Sequence, residues 1–88
     1  MQTYLIYTKD TAGQRQMEES GRRLEGIKVP YELLDADTLH GAELLDYYGI
    51  LSRPAILVAR SDDGSLIQKW TETESFPDPS EISYFANL

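Results

Sequence analysis

The side chains that most often do polar chemistry are scarce in this sequence. Its 88 residues contain no cysteine and a single histidine, His40. Thiol–disulfide exchange needs a thiolate to attack sulfur, so that chemistry is closed to the chain, as are disulfides and cysteine-based metal sites. His40 follows Asp35 and Asp37, but one histidine with loosely placed acids makes a poor metal site or triad; an exposed His40 is expected. The acidic clusters Asp62–Asp63 and Glu72/Glu74 lack the spaced oxygen ligands of a calcium loop and read as solvated turns. Near residues 8–15 only Thr8, Thr11 and Lys9 could serve a reaction, and a threonine hydroxyl is a weak nucleophile without a base. No cofactor and no metal are implied.

Fifteen Asp and Glu against eight Lys and Arg leave a net charge of −7. Phosphate binding needs clustered cations, so nucleic acid is not an expected partner; the acidity suits solubility. With 41% hydrophobic residues, the chain is expected to form one domain over 1–88, small enough for a thin margin of stability. No basic, apolar leader follows Met1, and no run approaches the ~20 apolar residues of a membrane span. A soluble cytoplasmic protein, with no membrane partner, is the expectation.

The elements that would position these residues are well punctuated. Residues 3–8 are β-branched, aromatic and nearly continuous in apolar character, as in a buried central strand. Thr11 with Gln14 forms a capping-box pattern, so a helix is predicted from there, with Met17 and Leu24 on one face and Gly21 between them. Gly26 followed by Ile27 predicts a Schellman ending, and a second strand is predicted near Val29–Asp35. Thr38 can cap a second helix with Leu44, Leu45 and Tyr48 at helical spacing and a Gly49–Ile50 ending. Tyr48 is expected to face inward and Tyr47 outward. After Arg53-Pro54 comes the buried-type strand Ala55–Ala59, an Asp63-Gly64 hairpin signal, and the return strand Leu66–Trp70. Asp78, Pro79 and Glu81 mark the start of a last helix with Ile82, Phe85 and Ala86 inward. The order β-α-β-α-β-β-α predicts an α/β fold: a four-stranded mixed sheet flanked by helices.

Several segments in this order resemble the thioredoxin superfamily, and within it small glutaredoxin-like proteins. They are Ile6-Tyr7-Thr8-Lys9, Val29-Pro30-Tyr31-Glu32 with Asp35-Ala36-Asp37, Tyr48-Gly49-Ile50 through Arg53-Pro54-Ala55-Ile56, the Asp63-Gly64 turn and Trp70. The resemblance implies a thioredoxin-like fold with Pro54 as a cis-proline, which would set the backbone of Arg53 facing the start of the first helix, where relatives pair an extended substrate; the alternative is a cis-proline that only fixes a tight turn before a central strand. The departures bear on function. Where the family carries Cys-x-x-Cys, this chain has Ala12-Gly13-Gln14-Arg15, or Thr11 and Gln14 in a frame shifted by one. The Gly-Gly turn that resembles a glutathione carboxylate site is replaced by Thr71-Glu72-Thr73-Glu74, whose glutamates would repel an anionic tripeptide. Tyr7 resembles the tyrosine of glutathione transferases, but the second domain and the Glu-Ser pair of those proteins are missing, and a packing role is expected.

The resemblance also places Lys9, Arg15 and Arg53 near the first helix N-terminus, whose unpaired N–H groups favour an anion. The alternative is three solvated cations balancing Asp10, Glu18 and Glu19. The candidate ligand-binding residues are thus Lys9, Thr11, Ala12, Arg15, Arg53 and Pro54, with no catalytic residue. The function read from these is a redox-inactive binding or adaptor module for a protein or peptide partner, with a small anion as a further ligand, acting as a monomer or weak dimer. Two alternatives stay open. One is a transferase-type enzyme binding an anionic small molecule at the same helix end; the other is a structural subunit that dimerises through a patch near Tyr31, Tyr47 or Phe76 or through a sheet edge.

Overall fold

In the computed structural model, which describes residues 1–72 and 75–88, the elements are β1 (Gln2–Tyr7), α1 (Ala12–Gly26), β2 (Glu32–Asp35), α2 (Leu39–Tyr47), β3 (Ala55–Ala59), β4 (Leu66–Trp70) and α3 (Pro79–Ala86). The strands form one mixed sheet in the order β2-β1-β3-β4. β1 and β2 are parallel, with Leu5 opposite Leu33. β3 lies antiparallel to β1, with Leu5 opposite Ile56, and β4 lies antiparallel to β3. No described helix is long and apolar enough to cross a membrane.

Strand alternation sorts the central side chains into two layers. Leu5, Ile56 and Val58 point to one face, where Met17 and Leu24 of α1 and Ile82 of α3 cover them. Ile6, Ala55 and Leu57 point to the other, under Leu45 of α2 and Ile50. With both faces covered, all five residues of β3 are buried, which is why that strand reads as an unbroken apolar run. Tyr7, Trp70 and Phe76 pack half-buried against the first layer, and Tyr48 against the second, where its hydroxyl donates to the Gly64 carbonyl at 2.5 Å. Tyr47 is exposed.

The helix ends follow the predicted chemistry at α2 and depart from it at α1. Gly49, at φ 66°, reverses the chain after α2. The Ile50 N–H then bonds the Leu45 carbonyl at 2.8 Å, and both side chains are buried together. At α1 the left-handed residue is Lys28, φ 61°, two residues beyond the Gly26 that was expected to fill this role. The Lys28 N–H bonds Glu25 O and the Val29 N–H bonds Leu24 O at 3.0 Å, which is a complete Schellman pattern. The physical reason is burial: Val29 is the apolar residue that closes over Leu24 in the core, whereas Ile27 stays 47% exposed. The delayed reversal also shortens β2, which begins at Glu32 instead of near Val29.

Two further expectations are corrected. Asp78 occupies the N-cap of α3 but its side chain makes no cap bond; the Glu81 carboxylate, which with Asp78 was expected to mark the helix start, instead accepts from the Trp70 indole N–H at 3.2 Å. The β3–β4 connection is wider than a two-residue turn. It closes through Arg60 N–H to Ser65 O and Gly64 N–H to Arg60 O, with Gly64 at φ 74°. In that turn Arg60 makes a two-pronged contact with Asp62, at 3.1 and 2.9 Å, which pulls the Asp62 carboxyl down to about 2 with help from the Asp63 N–H.

Candidate functional site

The link from β1 into α1 is built by its own polar groups. The Thr11 hydroxyl donates to the Thr8 carbonyl at 2.5 Å and accepts weakly from the Gln14 N–H at 3.4 Å. The Gln14 side chain reaches back to the Asp10 N–H at 2.8 Å, one residue before the position a capping box would use. Asp10 itself is left-handed, φ 62°. Thr11 is therefore the N-cap, and its hydroxyl is committed to holding the turn.

Gly13, the second residue of α1, lies against the proline ring of the loop that precedes β3. A Cβ at that position would fall 2.9 Å from Pro54 Cδ and 3.1 Å from Cγ. Real side chains do not approach so closely, so this contact requires glycine. Pro54 is buried, Arg53 is exposed, and the peptide bond between them is cis. The helix opening and the proline loop are thus in direct contact. Gly13 was not among the residues singled out from the sequence; the signal was its place inside the Ala12–Arg15 frame, where the lack of a side chain is what matters.

The six candidates fall into two groups. Thr11, Ala12 and Arg15 line an open depression of about 580 Å³ together with Asp10, Gln14 and Glu18. Lys9, Arg53 and Pro54 do not border it. Helical geometry accounts for the division, because Arg15 leaves the axis about 200° round from Gly13 and so points away from Pro54. The depression sets two carboxylates against one guanidinium. Lys9, Arg15 and Arg53 are all exposed, and none pairs with a carboxylate among the described residues. Of the acids considered as balancing partners, Glu19 pairs with Arg23 at 2.8 Å and Glu18 accepts from Gln14 at 3.4 Å.

Elsewhere, His40 stands exposed with its Nε2 3.7 Å from Glu32. Asp35 accepts from the Asp37 N–H at 2.9 Å instead of orienting the imidazole. Among the described residues no three His, Asp or Glu side chains gather as a metal site would need. Glu72 is exposed, while Thr73 and Glu74, half of the Thr71–Glu74 segment, lie outside the described residues.

No family model matches the chain, and no curated protein is similar to it in sequence. Solved structures are similar in fold. Thioredoxin 1 from the thermophilic eubacterium Thermosipho africanus superposes with a TM-score of 0.66 at 10% identity, over 99% of this chain and 91% of that one. A chain from a structure of the thiol resolving mechanism in yeast mitochondrial 1-Cys peroxiredoxin gives 0.63 at 14% identity, over 99% and 77%. The chain has a thioredoxin fold without cysteine. In it the first turn of α1 and the Pro54 loop meet at Gly13, in a chain with no sulfur nucleophile to place there.

The loop ahead of Pro54 adds residues that sequence reasoning passed over. Leu51 is 95% exposed, an unusual place for a large apolar side chain. No described residue bonds the backbone of Leu51, Ser52 or Arg53, and all three residues are exposed. Nothing in a single sequence distinguishes this leucine from a core residue, since Ile50 beside it is buried.

Proposed function

We propose that this protein is a redox-inactive thioredoxin-fold binding module that holds an extended segment of a protein partner along residues 51–53, beside the first turn of α1. The observation that carries the reading is the contact of Gly13 with Pro54 in a chain with no thiol to react. Unbonded backbone groups next to a rigid contact suit strand addition, in which main-chain bonds give affinity and pockets read alternate side chains. The exposed Leu51 supplies an apolar anchor for that segment. An anion at the outer depression is supported less, because Asp10 and Glu18 share that depression with Arg15.

Affinity capture from the native cell extract tests this. Ser52→Pro removes one unbonded N–H from a loop that bonds nothing else, and Leu51→Asp removes the anchor. Each variant is expected to retain far less of the captured partner, about a fivefold to tenfold loss for a missing main-chain bond, while keeping the wild-type circular dichroism. Equal recovery with wild type, Ser52→Pro and Leu51→Asp removes residues 51–53 from consideration.

A further inference from the structure

The acidity of this chain is unevenly placed. Residues 29–52 contain Glu32, Asp35, Asp37, Glu43 and Asp46, and every lysine and arginine lies outside that stretch. α2 is the helix of this segment. It turns Gly41 and Leu45 onto the sheet. At about 100° per residue, Leu39, Ala42, Glu43, Asp46 and Tyr47 share the opposite face, and all five are exposed. Leu39 is 77% and Tyr47 70% exposed. A helix face that leaves a leucine and a tyrosine in water, with carboxylates between them, has the make-up of a docking surface more than of a solvated one.

We propose that the outer face of α2 docks a basic amphipathic segment of another protein. Its apolar side chains would lie on Leu39 and Tyr47 and its lysines or arginines on Glu43 and Asp46. Charge selects this occupant. A second copy would meet the face through a two-fold contact of the same patch with itself, setting these carboxylates against their own equivalents. An anionic lipid surface is repelled for the same reason. The surface lies on the α2 side of the sheet, whereas Met17 and Leu24 of α1 pack on the other side. The reading above rests instead on the contact of Gly13 with Pro54, so either can fail without the other.

The test uses the isotope-labelled full chain and a synthetic peptide of leucine and lysine with the leucines at helical spacing. A scrambled peptide of the same composition serves as the control. The helical peptide is expected to shift the amides of residues 38–49, and the scrambled one to bind at least about tenfold more weakly. Leu39→Ser combined with Tyr47→Ser, and separately Glu43→Lys with Asp46→Lys, should each weaken the helical peptide by about tenfold or more. Mapping on the wild type keeps the test decisive even if a variant folds poorly. Equal binding of the two peptides, shifts centred on residues 9–15 or 51–53, or no shifts at millimolar peptide would each overturn the proposal. A Tyr47-dependent dimer in sedimentation would overturn it too, by assigning the face to a second copy.

Discussion

Lys28 shows how one residue can carry a conformational cost for the layer beneath it. The left-handed backbone it adopts disfavours any side chain with a Cβ by roughly 1–2 kcal/mol. It is held there because Val29 must close over Leu24. Glycine in this position would relieve the steric cost while losing some entropy in the unfolded chain. Lys28→Gly is therefore expected to stabilise the protein by about 0.5–1 kcal/mol, read as a higher urea midpoint with an unchanged slope. Lys28→Ala keeps the Cβ and should gain nothing. A fall in midpoint for the glycine variant would show that the lysine side chain contributes something at this position beyond its backbone. Gly13 is the converse case: there the surroundings, not the dihedral, demand glycine, and the demand comes from a proline forty-one positions later in the chain.

Among the elements, α2 is fastened to β2 by its first turn. Thr38 caps the helix by accepting from the Gly41 N–H at 3.2 Å and donating to the Asp35 carbonyl at 2.7 Å. Gly41 sits directly over that strand end, where an added Cβ would run into the Asp35 carbonyl oxygen and come within 3.2 Å of Ala36 Cα. Backbone atoms cannot move aside as a flexible side chain can, so overpacking here displaces the whole helix. Gly41→Ala is expected to destabilise by about 2–3 kcal/mol despite alanine's better helix propensity. Chemical denaturation measures it, and a neutral or stabilised variant would mean that α2 is free to shift on the sheet. A bulge sets a second element relation. The register between β3 and β4 slips next to Val58 and Ala59, so Leu66 packs on the α2 face while Ile67 and Trp70 both pack on the α1 and α3 face. An extra residue reverses side-chain parity, and this brings the Trp70 indole to Glu81.

For the molecule as a whole, the dominant electrostatic feature is its net charge of −7. Exposed pairs such as Arg23–Glu19 and Arg60–Asp62 contribute little each. The repulsion among the acids between residues 29 and 52 is not offset by any cation within that stretch. Screening by salt weakens both effects, and the unbalanced repulsion is the larger of the two. The melting temperature is therefore expected to rise by a few degrees between low and physiological ionic strength. For a domain of this size a shift of about 4–8 °C corresponds to ~1 kcal/mol. A melting temperature that falls with salt would show that the ion pairs outweigh the repulsion.

The chain's own residues determined the element order, the ends of β3 and β4, the cap at Thr38, the Gly49–Ile50 reversal and the exclusion of thiol chemistry. Each of these follows from local propensities or from the presence or absence of a residue type, which act over a few positions. The tertiary structure alone decided which residue ends α1, where Glu81 sends its carboxylate, and which candidates for the site stand together. Those outcomes depend on contacts between segments far apart in sequence. Val29 moves the helix end because a core leucine needs covering, and Gly13 matters because Pro54 arrives beside it. Arg15 is turned away from Arg53 by the pitch of a helix whose inner face was already taken.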